Sequence, residues 1–284
     1  MRGKAFIVYG AGISGRGAVE VLARRGEQVF LYNDNPCTVD ESLLKAMAEV
    51  DGALVVGSEY FPKLLEKAGT LILSPGVPCD IPNVILAEEK GLDVISEVEY
   101  GYRIYGGHIA AITGTNGKTT TTSIVGAMLE RLAVPSAVGG NIGAAMSKEV
   151  ENLPKDGWLA LELSSFQLEK VATFAPDIAC MLNLTPDHME RHYTMEAYGA
   201  AKQRIFTQQS AEQVTVLNYD DPEVRTWGEK TKAQVCYFSR KVKLDQGVYM
   251  QDGNFVIKWK DTDAVVCNIK DAQLFGGHNE ENIL

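Results

Sequence analysis

Between the apolar run Ile109-Ala110-Ala111-Ile112-Thr113 and a helical pattern over 118–131 lies the hexapeptide Gly114-Thr115-Asn116-Gly117-Lys118-Thr119. Glycines, a lysine and a hydroxyl in that order, at a strand-to-helix turn, suit a polyphosphate. The loop amides can cradle a β-phosphate, Lys118 can bridge β- and γ-oxygens, and Thr119 can ligate Mg2+. The strict loop pattern wants glycine where Ile112 stands, but the flanking strand and helix outweigh that mismatch. A second glycine turn, Gly10-Ala11-Gly12-Ile13-Ser14-Gly15, follows Ala5-Phe6-Ile7-Val8-Tyr9 and opens another helix. Asp34 closes the next strand, where an acid would meet a ribose. Such a turn lets the backbone approach a diphosphate, and the helix N-terminus supplies donors and positive potential. It favours a diphosphate ligand without separating NAD from a UDP-sugar.

These turns need sheets to hold them. After the first, Val19, Val21, Leu22 and Ala23 recur at helical spacing, and strands are expected at 28–33, 53–56, 70–73 and 93–95, with a helix at 82–90. Strands alternating with helices imply a parallel sheet covered on both faces. A second α/β series starts near His108, with strands at 158–163, 178–183 and 214–218 and a helix at 195–208. Beyond about Val235 the texture changes, and Gln251-Asp252-Gly253-Asn254 reads as a hairpin turn between two short strands. The expected fold class is α/β: a Rossmann-like domain over 1–106, then a P-loop ATPase-like central domain over 107–284 carrying a small β-rich segment.

The 284 residues carry a net charge of −10, so an extended nucleic-acid surface is not expected and bound phosphate must be held locally. Five cysteines without CxxC spacing suit a reducing compartment better than a disulfide framework or zinc site. Met1-Arg2-Gly3-Lys4 leads directly into a strand, with no signal-peptide core and no apolar run of membrane-spanning length. A soluble, cytoplasmic, monomeric protein without membrane partners is expected.

Longer segments carry a more specific signal. Ile112 to Thr121 (ITGTNGKTTT), Glu162 to Glu169 (ELSSFQLE), Asn183 to His188 (NLTPDH), Ala200-Ala201-Lys202 and Gly277-His278-Asn279-Glu280-Glu281-Asn282 resemble, in order and spacing, the motifs of the Mur ligase superfamily. The SSFQLE form, the opening GxGxxG and Ser74-Pro75-Gly76-Val77-Pro78 are similar to its D-glutamate-adding branch. The resemblance covers the whole chain. It implies ATP-dependent amide formation, with the γ-phosphoryl of ATP passing to the L-alanine carboxylate of UDP-MurNAc-L-alanine. The D-glutamate amine then displaces phosphate from the acyl phosphate. Three anionic groups must meet, which calls for lysines and metal ions.

Carried over by position, Gly114, Thr115, Asn116, Gly117, Lys118, Thr119 and Thr120 would hold the ATP phosphates, and Asn282 would contact the adenine. Thr119 and Glu162 would serve one Mg2+ and His188 a second. Lys202 matches a lysine that becomes carbamylated, turning a cation into an oxygen ligand. Ser14, Asp34, Asn35, Ser74 and Gly76 fall where the family holds uridine and diphosphate, and Asn141 matches a substrate-contacting asparagine. His108 and His192 read as structural, and Asn218-Tyr219-Asp220-Asp221-Pro222 mainly as a helix cap. The family has a third domain after the last motif, so a chain ending at Leu284 is expected to bind substrate but to ligate poorly or not at all. Other readings stay open: the L-alanine-adding relative, an NAD-dependent oxidoreductase suggested by GxGxxG with Asp34, and a nucleotide-sensing module without chemistry.

Overall fold

A computed structural model describes residues 4–272 and 276–284, except for the side chain of His278. Met1, Arg2 and Gly3, and the His278 side chain of the last motif, therefore lie outside the described residues. Contacts divide the chain into two units. One gathers everything up to Gly106 with Gly139–Lys155 and Phe166–Thr173, and the other holds Gly107–Val138, Asp156–Ser165 and Phe174–Leu284.

In chain order the first part runs β1 (Ala5–Tyr9), α1 (Ile13–Arg24), β2 (Val29–Asn33), α2 (Glu41–Glu49), β3 (Ala53–Val56) and α3 (Phe61–Leu65). It continues with β4 (Ala68–Leu73), α4 (Pro82–Glu89), β5 (Asp93–Ser96) and α5 (Glu97–Ile104). The five strands form a parallel sheet in the order β3-β2-β1-β4-β5. Strand order reverses between β1 and β4, the point at which sheets of this kind bind ligands outside their carboxyl ends. Both faces are covered. Ile7, Tyr9, Tyr32 and Leu71 pack on one side with Phe61 and Val84, while Val8, Leu31 and Ile72 meet Val19, Leu22 and Met47 on the other. Double coverage is why these strands read as unbroken apolar runs.

The rest runs β6 (His108–Thr113), α6 (Lys118–Arg131), β7 (Ser136–Gly140), α7 (Met146–Glu151), β8 (Trp158–Glu162), α8 (Ser165–Leu168), β9 (Ile178–Met181), α9 (Met189–His192) and α10 (Met195–Gln203). Then come β10 (Val214–Asn218), α11 (Pro222–Thr226), β11 (Gln234–Ser239), β12 (Gly247–Gln251), β13 (Asn254–Trp259), β14 (Thr262–Asn268) and α12 (Gly277–Ile283). The nine-stranded sheet has the order β14-β13-β12-β11-β10-β9-β6-β8-β7. β6 lies between β8 and β9, parallel to both. Both sheets match the α/β reading.

Two local readings need correction. The helix expected over 195–208 stops at Gln203, because Ile205 and Phe206 bond three residues back, to Lys202 and Gln203. Gln209 then turns inward, its amide donating to Pro176 O and Val214 O while its oxygen accepts from Thr215. The change of texture comes later than Val235, since β11 is still a parallel neighbour of β10 and antiparallel pairing starts at β12 and β13. β7 and α5 add to the sequence reading, α5 starting after a Ser96 cap that accepts from Glu99 N–H. The hairpin is as expected, with Asp252 (φ 51°) and Gly253 (φ 76°) both left-handed, as a two-residue turn on twisted strands requires. Among the described residues no helix is long and apolar enough to cross a membrane.

Candidate functional site

The second unit builds its site at the carboxyl ends of β6, β8 and β9. The loop from Gly114 to Gly117 joins β6 to α6, and Gly117 (φ 86°) is the residue before the helix. A Cβ on Gly117 would stand 2.2 Å from Asn282 Oδ1, so α12 closes on the loop only because this position is bare. The loop is also tied to the segment after β9. Asn116 N–H donates to Asn183 Oδ1 at 2.9 Å, and Asn183 Nδ2 donates back to Asn116 O at 3.1 Å. Thr115 N–H donates to Asn183 O, Thr115 Oγ1 to Thr185 O, and Thr185 N–H to Thr115 Oγ1. A loop held this firmly loses little freedom when it receives an anion.

Two lysines meet on one carbonyl. Lys118 Nζ donates to Gly114 O (3.0 Å) and Thr115 O (2.8 Å), and Lys202 Nζ donates to Gly114 O (2.8 Å). Lys202 is 2% exposed and lies over the Tyr198 ring, 4.8 Å from its centroid. Burial, helped by the charge of Lys118 and opposed by Asp187, lowers the Lys202 ammonium to about 7. Burial also lowers Lys118, against the pull of Glu162 and Asp187. Glu162 ends β8, buried and level with Ile112 of β6. Thr119, exposed, and Thr120, half-buried, follow on the first turn of α6.

His188 adopts the left-handed region (φ 54°) ahead of α9, its ring 3.5 Å from Asp187 and 3.7 Å from Glu190. That conformation is uncommon for a residue with a Cβ and concentrates at functional turns. Asn282 is buried on α12. Its side-chain amide donates to Asn279, its backbone carbonyl accepts from Thr121, and it lines a cavity of about 750 Å³ with Asn116, Gly117, Thr120, Asn183 and Thr185. Contacts thus join Lys118, Lys202 and Asn282 to the loop, whereas those of His188 run to Asp187 and Glu190.

Three participants escaped the sequence reading. Tyr198 stands four residues before Lys202, a helical spacing that could have exposed it. Asn183 had been noted only as part of a motif. Asp187, likewise present only within that motif, reaches both lysines electrostatically. Asp221 caps α11 ahead of Pro222, as expected, whereas Asp220 instead accepts from Ser239 Oγ, Arg240 N–H and Lys241 N–H. His192 is buried against Ser165 (2.9 Å), and His108 stacks on Trp158 and meets Asp177.

The first unit holds the other candidates. Ser14 lies in the first turn of α1, half-buried. Asp34, exposed at the end of β2, accepts from the hydroxyls of Tyr9 and Tyr32 (2.7 Å for Tyr32) and from Asn83. Burial, then the Asp34 contact, pushes both phenols well above the ordinary tyrosine range. Asn35 and Gly76 are exposed, and space around Gly76 is open. Ser74 is differently placed: its hydroxyl donates to Gly10 O at 2.8 Å and its N–H to Tyr9 O, so it supports the turn from beneath. Asn141 is exposed on the loop between β7 and α7.

Fold and loop together define an α/β protein of the phosphate-binding-loop type. The chain belongs to the Mur ligase family: residues 112–284 match the Mur ligase middle domain. It is 38% identical over 283 residues to a UDP-N-acetylmuramoylalanine–D-glutamate ligase of Lachnoclostridium phytofermentans, covering 99% of this chain and 62% of that protein. A ligase of the same name from a Thermoanaerobacter species is also 38% identical, over 100% of this chain and 62% of its own length. The chain thus spans under two thirds of these relatives. Among solved structures, the UDP-N-acetylmuramate:L-alanyl-gamma-D-glutamyl-meso-diaminopimelate ligase from Neisseria meningitides superposes with TM-score 0.61 at 19% identity, covering 99% of this chain and 91% of that one. A murein peptide ligase from Psychrobacter arcticus gives 0.58 at 12% identity, covering 99% and 64%. At such identities these two speak for the fold alone.

Proposed function

We propose that the chain carries the sugar-nucleotide and ATP sites of a ligase that joins D-glutamate to the L-alanine carboxylate of UDP-MurNAc-L-alanine. The observation that carries this reading is the convergence of Lys118 and Lys202 on the Gly114 carbonyl, with the Glu162 charge acting on Lys118, on a loop already fixed for phosphate. The names of the relatives support the choice of substrates. A carboxylate resists an amine until its oxygen becomes a leaving group, so ATP must first phosphorylate it. Lys118 would leave its carbonyl partners for the β- and γ-oxygens, and the loop amides would hold the β-phosphate. Asn282 and the cavity beside it would take the adenine. In the first unit, Ser14, Asp34, Asn35 and Gly76 would receive the uridine diphosphate, and Asn141 would touch the sugar-linked part.

Among the described residues no group of three or more His, Cys, Asp or Glu could hold a metal ion. That fits Mg2+, which takes one or two protein oxygens and fills its sphere with phosphate and water. Thr119 and Glu162 suit such a role. Lys202 as an amine does not, but one lowered to about 7 has a substantial neutral fraction near pH 7, the form that reacts with CO2. Carbamylated Lys202 would then offer oxygens, and His188 would stand by a second ion. When bound, Mg2+ would neutralise charge between the γ-phosphate and the carboxylate.

Calorimetric titration with UDP-MurNAc-L-alanine, UDP-MurNAc and NADH tests the substrate. At least tenfold preference for the alanyl nucleotide is expected. Preference for UDP-MurNAc would favour an L-alanine-adding enzyme, and binding of NADH alone would overturn the reading. For the loop, Lys118→Met is expected to weaken ATP affinity by about 100-fold, losing roughly 3 kcal/mol of charge-assisted contacts. An unchanged ATP Kd would remove Lys118 from the site.

A further inference from the structure

The reaction gives Glu97 no task, yet this carboxylate is 1% exposed at the start of α5. Its Oε1 accepts the backbone N–H of Ser147 at 2.7 Å. Ser147 is the second residue of α7, whose own cap position is Ala145, a side chain with nothing to accept a hydrogen bond. Glu97 therefore supplies from another helix the acceptor that α7 lacks. Bare positions seat the same turn closely. A Cβ on Gly101 would lie 2.8 Å from Met146 Cγ and 3.1 Å from Ser147 N, and one on Gly17 2.7 Å from Ala145 Cβ.

This turn ends the loop that carries Asn141. The loop leaves β7 through Gly140 (φ 104°), passes Asn141, Ile142 and Gly143 (φ 67°), and is closed by Gly140 N–H donating to Ala144 O at 3.0 Å. A Cβ on Gly139 would stand 2.7 Å from Glu149 Cγ, so α7 also presses on the loop's entry. Asn141 is thus held by a short closed loop whose far end is fixed at Ala145, Met146 and Ser147. We infer that Glu97 is a positioning residue for substrate binding, setting Asn141 by anchoring the first turn of α7. The inference rests on the proposed contact between Asn141 and the sugar nucleotide.

The test measures Kd for UDP-MurNAc-L-alanine, and for ATP in parallel, by calorimetry on the unaltered chain, Glu97→Met, Glu97→Gln, Asn141→Ala and the double variant Glu97→Met with Asn141→Ala. Glu97→Met should weaken the sugar nucleotide at least tenfold and leave ATP within twofold. Glu97→Gln, whose amide oxygen can still accept from Ser147, should recover most of the loss. Because both residues act through one contact, the double variant should be no more than twofold weaker than the worse single variant. An unchanged Kd for Glu97→Met, fully additive losses, or an equal loss for ATP would each overturn the inference. If Glu97→Met does not fold, Gly101→Ala displaces the same turn with Glu97 intact, and its combination with Asn141→Ala must show the same non-additivity. An Asn141→Ala variant that binds normally would sink the Asn141 contact and this inference together. A normal Asn141 effect without a Glu97 effect would sink the inference alone.

Discussion

Gly15→Ala is expected to destabilise the first unit by about 3 kcal/mol, at the upper end of overpacking costs, and to abolish sugar-nucleotide binding. The added methyl would stand 1.9 Å from Gly10 O and 2.6 Å from Ser74 Oγ. Neither can retreat cheaply. Gly10 occupies φ 100°, and its carbonyl accepts the buried Ser74 hydroxyl. Relief would require α1 to lift from β1 or the turn to open, and either moves the backbone intended for the diphosphate. Gly12 is the control, because a Cβ there meets nothing within 4 Å, and Gly12→Ala should cost about 1 kcal/mol or less. Denaturant unfolding followed by circular dichroism, with calorimetric titration, separates the two. Equal midpoints for both variants would show that the turn has slack.

Lys202→Met should make the protein more stable in acid and less stable in alkali, where only the amine's bond to Gly114 O is lost. In the folded chain the Lys202 ammonium is lowered from 10.5 to about 7, first by burial and then by Lys118. In the unfolded chain it returns to its ordinary value. Between those two values the unfolded chain binds the extra proton, so stability rises with pH across that window. Below about 7 both states are protonated and the native state bears the full cost of a buried charge. Above 10.5 the amine is neutral in both and the cost is gone. At 1.36 kcal/mol per pKa unit, the shift corresponds to about 3–5 kcal/mol. Loss of the amine's bond to Gly114 O offsets part of this, leaving a gain of about 2 kcal/mol for the methionine variant at pH 6. That is about 5 °C in Tm. Thermal unfolding in CO2-free buffer at pH 6 and pH 10 should show the gain only at pH 6, and a pH-independent difference would count against the lowered amine. The same variant loses the only proposed carbamylation point.

Both glycine turns were legible because they need backbone freedom at fixed spacing, and Gly10, Gly114 and Gly117 do adopt positive φ. The buried strands were legible because coverage on both faces leaves no polar alternation to confuse. What stayed hidden was mostly relational. Nothing in Asn116 or Asn183 alone announces their reciprocal pair, and nothing in Ser74 says that its hydroxyl faces inward. Asp34 looked like a bare ribose acceptor, but two tyrosines from adjacent parallel strands already hold it. The end of α10 depends on Gln209, whose partners at Pro176, Val214 and Thr215 come from elsewhere in the chain.

The first unit is not one stretch of sequence: Gly139–Lys155 and Phe166–Thr173 return to it after the chain has begun the second. On a ribosome the opening hundred residues would therefore emerge without α7 or the segment to which Glu99 is tied through Ala172 and Thr173. Completion of that unit must wait until residue 173 is synthesised, by which time β6, α6 and β8 are already available. The two units are interleaved in the order of their making, and a chain cut after Gly106 would carry the sheet and the glycine turn without the helix that packs against α1 and α5.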